Sequence, residues 1–216
     1  MRFLVLGASG GVGRWVVRLA AERGHEVTAV VRASSGYAPP PPGVVVRVGD
    51  VTDPALLDDA VAGRDGVLSC LGLRRAGRSP WAPLRSPPDL TARVARLLVP
   101  AMRRRGVRRL IAISAGGVGD SLARLGWPVR KLVAAGNVGV AYRDLAAMEA
   151  ELEASGLDWL AVRPVTLVDG APLGRARPAG RYGLASTVRR GDVAAWMLDA
   201  AERPGAFAER RVLLGA

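Results

Sequence analysis

Seven residues near the start of the chain have the spacing of a phosphate-binding turn. The stretch Gly7-Ala8-Ser9-Gly10-Gly11-Val12-Gly13 follows a short hydrophobic run at residues 3–6 and precedes an amphipathic helical pattern at residues 12–23. Glycines allow a tight turn whose backbone N–H groups approach a pyrophosphate, and a helix amino terminus favours negative charge. The spacing is G-x-x-G-x-x-G, which differs from the G-x-G-x-x-G of many dehydrogenases. We therefore predict a dinucleotide site here, with an unliganded strand-to-helix turn as the alternative.

Arg32 occupies the position that distinguishes NADP-binding from NAD-binding proteins. It follows the hydrophobic run 27–31, and no Asp or Glu occurs between Glu26 and Asp50. NAD-binding proteins have an acidic residue about 20 residues after the glycines, and NADP-binding proteins have an arginine nearby. The sequence therefore predicts NADP(H), with a surface charge as the alternative. Three further residues of phosphate-binding type lie near these positions: Arg14, Ser34 and Ser35.

Asp50 ends a third hydrophobic run, in the sequence Gly49-Asp50-Val51-Thr52-Asp53. A carboxylate at that edge can accept a hydrogen bond from the adenine amino group. Alternatively, the acidic stretch serves the next helix, because Thr52 or Asp53 can cap a helix that starts with Pro54. Both roles are compatible if Asp50 binds and Asp53 or Thr52 caps.

The small inventory of reactive side chains excludes several classes of enzyme. His25 is the only histidine and Cys70 the only cysteine. A Ser-His-Asp triad, a histidine metal cluster and a Cys-His nucleophile therefore lack their parts. His25 precedes the second hydrophobic run, and we interpret it as a turn residue.

Ser114 and Tyr142 are the candidate catalytic residues. Typical short-chain dehydrogenases use a Tyr-x-x-x-Lys pair, in which the lysine lowers the tyrosine pKa. This chain lacks that pair, because position 146 is alanine and Lys131 is the only lysine. Tyr142 either donates a hydrogen bond or packs on its helix. Ser114 ends the run 109–114. Its hydroxyl either binds a developing anion or satisfies the end of the strand by a hydrogen bond.

The alternation of short buried runs with longer amphipathic runs predicts an α/β fold, a Rossmann-like doubly wound parallel sheet with helices on both faces. In such a sheet, the ligand lies outside the carboxyl ends of the strands. The predicted strands cover 3–6, 27–31, 44–48, 66–70, 109–114, 159–162 and 212–214. The predicted helices cover 12–23, 54–62, 89–105, 141–155 and 192–201.

The length of 216 residues favours one domain spanning residues 1–216, with substrate-side loops at about 72–88, 115–139 and 164–187. Trp81 and Trp127 fall in these irregular segments, where they either stack on a flat substrate or anchor a lid. The remaining tryptophans fit helix or strand patterns.

The net charge of +12 raises the question of nucleic acid. The densest basic cluster, at residues 103–109, straddles a predicted helix end, where cations complement the helix dipole. We therefore expect no nucleic-acid partner. No long apolar run predicts a membrane span, and the lone cysteine favours a reducing, cytoplasmic setting. A monomer or a homodimer fits equally well.

The order of motifs resembles the atypical short-chain dehydrogenase/reductases, in particular the NAD(P)H-binding group that includes flavin reductase/biliverdin reductase B and the NmrA-like proteins. The motifs are GASGGVG, VVR, GDVTD, VAGRDGVLSCLG, IAISAGG and SGLDWLAVRP, and they span nearly the whole chain. The resemblance implies that the residues of the glycine turn line the pyrophosphate: Gly7, Ser9, Gly10, Val12 and Gly13, with Gly11 in the same turn. It also implies that Arg32 binds the ribose phosphate, that Asp50 and Val51 border the adenine, and that Leu71 and Gly72 border the adenosine. Ser114 would face the nicotinamide, and Pro164, Val165 and Thr166 would close over it.

These features together predict an NADPH-dependent oxidoreductase that acts on a flat, conjugated small molecule such as a flavin or a quinone-like metabolite. Such acceptors are electron-poor, so hydride transfer needs no strong proton donor from the protein. Two alternatives remain. One is a non-redox isomerase or cyclase that uses bound NADP as a scaffold, and the other is an NmrA-like redox sensor without catalysis.

Overall fold

The strands of the computed structural model form one large sheet and one small sheet. The structure describes residues 1–37, 41–77, 79, 81–124, 136–180, 182–183 and 185–216. Within these ranges the strands are β1 (Arg2–Leu6), β2 (Glu26–Val31), β3 (Val44–Val48), β4 (Gly66–Ser69), β5 (Arg109–Ile113), β6 (Asp158–Pro164), β7 (Thr166–Val168), β8 (Arg177–Pro178), β9 (Thr187–Arg189) and β10 (Arg211–Gly215). The helices are α1 (Gly13–Glu22), α2 (Pro54–Val61), α3 (Leu90–Arg104), α4 (Asn137–Glu153) and α5 (Arg190–Glu202).

The large sheet has the order β3-β2-β1-β4-β5-β6-β10-β8. All its pairings are parallel except that of β8, which runs antiparallel to β10 at one edge. This confirms the predicted doubly wound parallel sheet. The strand order reverses between β1 and β4, so the crevice for a ligand lies at the carboxyl ends of these two strands.

Helices cover both faces of the sheet because successive residues of a strand point to opposite sides. In β1, Phe3 and Val5 belong to the apolar cluster that contains α1 and α5. Leu4 and Leu6 belong to the opposite cluster, which contains α2, α3 and α4. Over the described residues, the helices include none with the length and apolar character needed to cross a bilayer.

Two predicted segment boundaries were wrong. The helix α4 begins at Asn137, whereas the sequence predicts a start at residue 141. The sequence does not indicate this first turn because Gly136, Asn137 and Gly139 carry little of the helical pattern. The Asn137 side chain instead supports this end by donating to the carbonyl oxygens of Trp81 and Ala82 at 3.2 and 2.9 Å. The predicted loop 115–139 therefore ends earlier, and it contains a short 3₁₀ segment at residues 119–124.

The predicted loop 164–187 contains regular structure. The strands β7 and β9 pair in parallel, with Val168 opposite Arg189, and β8 joins the edge of the large sheet. These strands have only two or three residues each. Such short segments have no readable sequence periodicity, so their pairing depends on the tertiary structure.

The amino terminus of α3 is capped by a residue from another helix. Asp89 stands at the cap position, but its side chain makes no capping hydrogen bond. Instead, the buried Asp144 of α4 accepts hydrogen bonds from the backbone N–H groups of Thr91 and Ala92, both at 3.0 Å, and from the Thr91 hydroxyl at 2.7 Å. One carboxylate therefore joins α3 to α4.

We predict that Asp144→Ala lowers the free energy of unfolding by about 2–4 kcal/mol, because it leaves two buried N–H groups without an acceptor. The matched control Asp89→Ala should cost less than about 0.5 kcal/mol, since its side chain caps nothing. Urea denaturation followed by circular dichroism measures both values. A larger loss for Asp89→Ala would show that the cap is assigned to the wrong residue.

Candidate active site

The phosphate-binding turn, residues 7–13, connects β1 to α1 at the crevice between β1 and β4. Gly7 has a φ of +73°, and its carbonyl oxygen accepts a hydrogen bond from the Gly10 N–H at 2.9 Å. The cap position of α1 is Val12, so no side chain caps the first turn of this helix. In the first turn, Arg14 and Trp15 donate their N–H groups to the carbonyl oxygens of Gly10 and Val12 at 3.0 and 2.9 Å. Among the described residues no acceptor uses the Gly13 N–H, which remains available for an anion.

The glycines allow two close approaches of backbone to backbone. A Cβ on Gly13 would overlap the carbonyl oxygen of Gly7, and a Cβ on Gly7 would lie 2.8 Å from the carbonyl oxygen of Cys70. Gly7 also has the left-handed conformation that L side chains rarely adopt. The turn thus forms a cradle that side chains at these positions would fill, and this fits the diphosphate of a dinucleotide.

Arg32 and Asp50 lie at the carboxyl ends of the neighbouring strands β2 and β3. Arg32 directly follows β2 and is half-buried, and among the described residues no hydrogen-bond or ion-pair partner accounts for its guanidinium. Asp50 accepts hydrogen bonds from the backbone N–H and hydroxyl of Thr52 at 2.8 and 2.9 Å. These bonds, with smaller contributions from Arg93 and Arg32, lower the pKa of Asp50.

In the acidic stretch 50–53, the residue that caps the next helix is different from the residue at the sheet edge. Asp53 caps α2 by accepting from the Ala55 N–H at 2.9 Å, with Pro54 in the first turn. Asp50 is exposed at the sheet edge, and the buried Val51 packs beneath it in the cluster that contains α2. Asp50 is therefore not needed as the cap.

A cavity of about 430 Å³ lies beside the turn. Arg14 and Ser9 border it from the turn side, and Ser35 borders it from the segment after β2. Arg14 also donates to the carbonyl oxygen of Ser9 at 3.1 Å. Arg32 is not among the lining residues: Ser9, Arg14, Arg18, Glu22, Ser35, Gly36, Tyr37 and Pro41.

Leu71 and Gly72 follow β4 on the other side of the crevice. The Leu71 side chain lies close to Gly7, 3.2 Å from the position of a Cβ there. Gly72 is exposed and has open space around its Cα. The structure therefore places Leu71 against the phosphate-binding turn, and Gly72 follows it in the chain.

Ser114 directly follows β5 and its hydroxyl has a partner within the protein. The side chain is buried and donates to Glu149 Oε1 of α4 at 2.6 Å. Glu149 also accepts from two arginines: Arg163 of β6 at 2.9 and 2.5 Å, and Arg211 of β10 at 3.0 Å. Ser114 is thus one end of a buried polar network at the carboxyl edge of the sheet.

Sequence reasoning did not identify Glu149 and Arg163. Both side chains are about 4% exposed. Arg163 lies in a mainly apolar strand, whereas Glu149 lies on a helix that also carries Asp144, Glu151 and Glu153. A signal was present, because Arg163 interrupts the buried run Trp159–Val162 of β6, and a buried charge requires a partner. The sequence does not show which of the 19 acidic residues supplies it.

Tyr142 also donates its hydroxyl proton to the protein. Its hydroxyl donates to the carbonyl oxygen of Gly116 at 3.0 Å, on the segment that follows Ser114. Burial raises the pKa of Tyr142, and the smaller effect of Arg75 opposes this. A tyrosine with a raised pKa and no adjacent lysine does not resemble the usual acid of short-chain dehydrogenases.

The segment 164–166 lies at the carboxyl end of β6. Pro164 accepts a hydrogen bond from the Gly116 N–H at 2.8 Å, and the buried Val165 donates to Leu214 at 2.9 Å. Thr166 is exposed and begins β7. These contacts place the segment beside the loop after Ser114.

Of the two loop tryptophans, Trp127 lies outside the described residues. Trp81 is 60% exposed, and its backbone is held by Asn137. An exposed aromatic ring on an anchored loop can stack on a flat ligand. Trp81 therefore remains the candidate for stacking on a flat ligand among the described residues of the loop 72–88.

The remaining reactive side chains lie elsewhere or are inert. His25 lies at the amino end of β2, where its Nε2 is 2.7 Å from Glu202 Oε1. Burial raises the pKa of the Cys70 thiol to about 12, so the thiol is protonated at neutral pH. Over the described ranges, no group of three or more His, Cys, Asp or Glu could hold a metal ion.

Comparison with solved structures gives relatives that align over nearly their full length. ChuY, an anaerobilin reductase from Escherichia coli O157:H7, is 26% identical with a TM-score of 0.75, over 99% of this chain and 96% of that one. A wide-type short-chain dehydrogenase/reductase from Veillonella parvula, solved with NADP, is 17% identical with a TM-score of 0.78, over 100% and 94%. A Rossmann-fold NAD(P)-binding protein from Shigella flexneri is 24% identical with a TM-score of 0.66, over 99% and 92%.

The sequence itself matches a family model. The match covers residues 7–204, from the first glycine of the phosphate-binding turn to the end of α5, and the model describes NAD(P)H-binding proteins. This range contains every candidate site residue named above. The chain therefore belongs to the NAD(P)H-binding family, which confirms the resemblance that its motifs carry.

Proposed function

We propose that the protein is an NADPH-dependent oxidoreductase that transfers hydride to a flat, conjugated small molecule such as a flavin or a quinone-like metabolite. The observation that carries this proposal is that both candidate proton donors are engaged within the protein. Ser114 donates to Glu149, and Tyr142 donates to the Gly116 carbonyl oxygen. A site of this kind suits acceptors that need no proton at the moment of hydride transfer.

The preference for NADPH rests on Arg32. Arg32 is half-buried at the end of β2 and has no ion-pair partner among the described residues, and a 2′-phosphate would supply one. Ser35 and Arg14 border the neighbouring cavity and add a hydroxyl and a positive charge on the same side. The exposed Asp50 is the nearest candidate for the adenine amino group.

When bound, the nicotinamide supplies the hydride, and the protein orients it. The phosphate-binding turn holds the diphosphate, and residues 164–166 border the nicotinamide end of the crevice. The Ser114 hydroxyl donates its hydrogen bond to Glu149, so toward a ligand its oxygen can accept but not donate. The Glu149 network holds Ser114 in this orientation. Trp81 offers a surface on which a flat substrate stacks.

The relative with 26% identity is described as a reductase, which favours redox chemistry over the scaffold and sensor alternatives. We therefore expect a small molecule as the partner of this site, in a protein that acts in the cytoplasm.

We predict that NADPH binds at least about tenfold more tightly than NADH, which corresponds to about 1.4 kcal/mol. Arg32→Glu should weaken NADPH selectively, because it replaces attraction to the 2′-phosphate by repulsion. Arg103→Glu makes the same change of charge on the exposed end of α3 and should leave both affinities within about twofold. Fluorescence titration measures all six affinities, and equal affinities of the wild type for NADPH and NADH would refute the NADP assignment.

Ser114→Ala should lower turnover while leaving cofactor affinity nearly unchanged, because it removes the oxygen beside the nicotinamide and not a phosphate contact. Ser155→Ala is the matched control: Ser155 is also buried and donates to a carbonyl, at the carboxyl end of α4. Steady-state kinetics with NADPH separate turnover from affinity. Ser114 is structural if cofactor binding falls and turnover per bound cofactor holds.

Mixing the protein with NADPH and a panel of flavins and quinones should give measurable NADPH oxidation, whereas simple ketones should react poorly because their alkoxide product needs a proton at once. Gly10→Val should abolish the oxidation by obstructing the phosphate-binding turn, and its melting temperature checks that the variant is folded. Tight NADPH binding without oxidation of NADPH by any compound in the panel would favour the sensor or the non-redox enzyme.

A further inference from the structure

Arg190, the first residue of α5, lies directly over the phosphate-binding turn. A Cβ on Gly11 would be 2.6 Å from Arg190 Cδ and 2.7 Å from its Nε, so the arginine stem contacts this glycine. The approach follows from the packing of α1 and α5 in one apolar cluster on the same face of the sheet. A cationic side chain from a distant part of the sequence is thus added to the mouth of the turn.

The position of Arg190 is fixed by the small sheet. Because Val168 pairs with Arg189 in the parallel register of β7 and β9, the next residues, Asp169 and Arg190, lie side by side. Arg190 Nη1 donates to Asp169 Oδ1 at 2.6 Å. The ion pair therefore joins the loop after β7 to the turn.

The backbone on both sides of this pair is held firmly. Gly191 donates its N–H to the Gly170 carbonyl oxygen at 3.1 Å. The buried Asp192 accepts from the backbone N–H groups of Leu173 and Gly174 at 2.5 and 2.7 Å. The Arg190 guanidinium can therefore exchange one partner for another by rotation of its side chain, without movement of α5.

The two members of the ion pair differ in their surroundings. The Asp169 side chain is 93% exposed, whereas that of Arg190 is 27% exposed. An ion pair with a fully hydrated carboxylate contributes little to stability. A diphosphate held on the turn offers two negative charges and a geometry that matches the guanidinium fork, so it competes well for Arg190.

We propose that Arg190 is a ligand of the cofactor diphosphate and exchanges Asp169 for phosphate when the dinucleotide binds. This inference rests on the proposed function of the site. Arg190 contacts the group that NADPH and NADH share, whereas Arg32 contacts the 2′-phosphate that only NADPH carries. The absence of a side chain at Gly11 leaves the space through which the Arg190 stem reaches the turn.

The test measures NADPH and NADH affinities of Arg190→Gln by titration. Both should fall at least about tenfold, with the ratio of the two affinities unchanged. Arg189→Gln is the matched control, because it removes the same charge one residue earlier on an exposed strand end, and it should keep both affinities within about twofold. Arg190→Lys retains the charge without the fork and should recover part of the loss. Adenosine 2′-monophosphate, which lacks the diphosphate, should compete equally well in the wild type and in Arg190→Gln.

The variant Asp169→Asn tests whether Arg190 binds the diphosphate or only holds the loop after β7 in place. If Arg190 leaves Asp169 on binding, this variant should bind both dinucleotides as tightly as the wild type or more tightly. A loss as large as that of Arg190→Gln would show that the pair only braces the loop, and unchanged affinities of Arg190→Gln would likewise overturn the proposal. A loss confined to NADPH would assign Arg190 to the 2′-phosphate instead. Failure of the wild type to bind either dinucleotide would refute the proposed function itself.

Discussion

Gly13, the first residue of α1, lies so close to the end of β1 that a side chain there would overlap the Gly7 carbonyl oxygen. This contact sets the distance between α1 and the central strand, and α5 packs against α1 on the same face of the sheet. A larger residue at position 13 would displace α1, which would open the phosphate-binding turn and move Arg190 away from Gly11. The anion-binding geometry and the packing of one whole face therefore depend on the same missing side chain.

The opposite face depends on buried carboxylates. Asp144 supplies the cap that α3 lacks, and Glu149, five residues further along α4, accepts hydrogen bonds from Ser114, Arg163 and Arg211. Removing one partner of such a network leaves a buried charge uncompensated, which typically costs about 3–5 kcal/mol. The helix α4 is thus attached to the sheet and to α3 by charge as well as by apolar contacts, and this holds the carboxyl end of β5 in place.

Part of the high arginine content serves these internal contacts. Arg104 and Arg105, in the basic cluster at the end of α3, both donate to Asp58 of α2. At the amino edge of the sheet, Arg109 donates to Asp158 at 2.9 Å and to the Ala201 carbonyl oxygen near the end of α5 at 3.1 Å. Arginine suits these positions because its five donors can satisfy a carboxylate and carbonyl oxygens together.

The sequence alone determined the doubly wound sheet and the phosphate-binding turn, because both depend on local patterns: apolar periodicity in β1 and α1, and glycines between them. It also determined that Arg32 follows β2, since position along a strand fixes the sheet edge at which a residue lies. Only the tertiary structure decided that Asp144 and not Asp89 caps α3, that Glu149 accepts the hydrogen bond of Ser114, and that Arg190 reaches Gly11. Each of these contacts joins residues 35 to 179 positions apart, where one acidic or basic residue in the sequence is indistinguishable from the next until packing selects it.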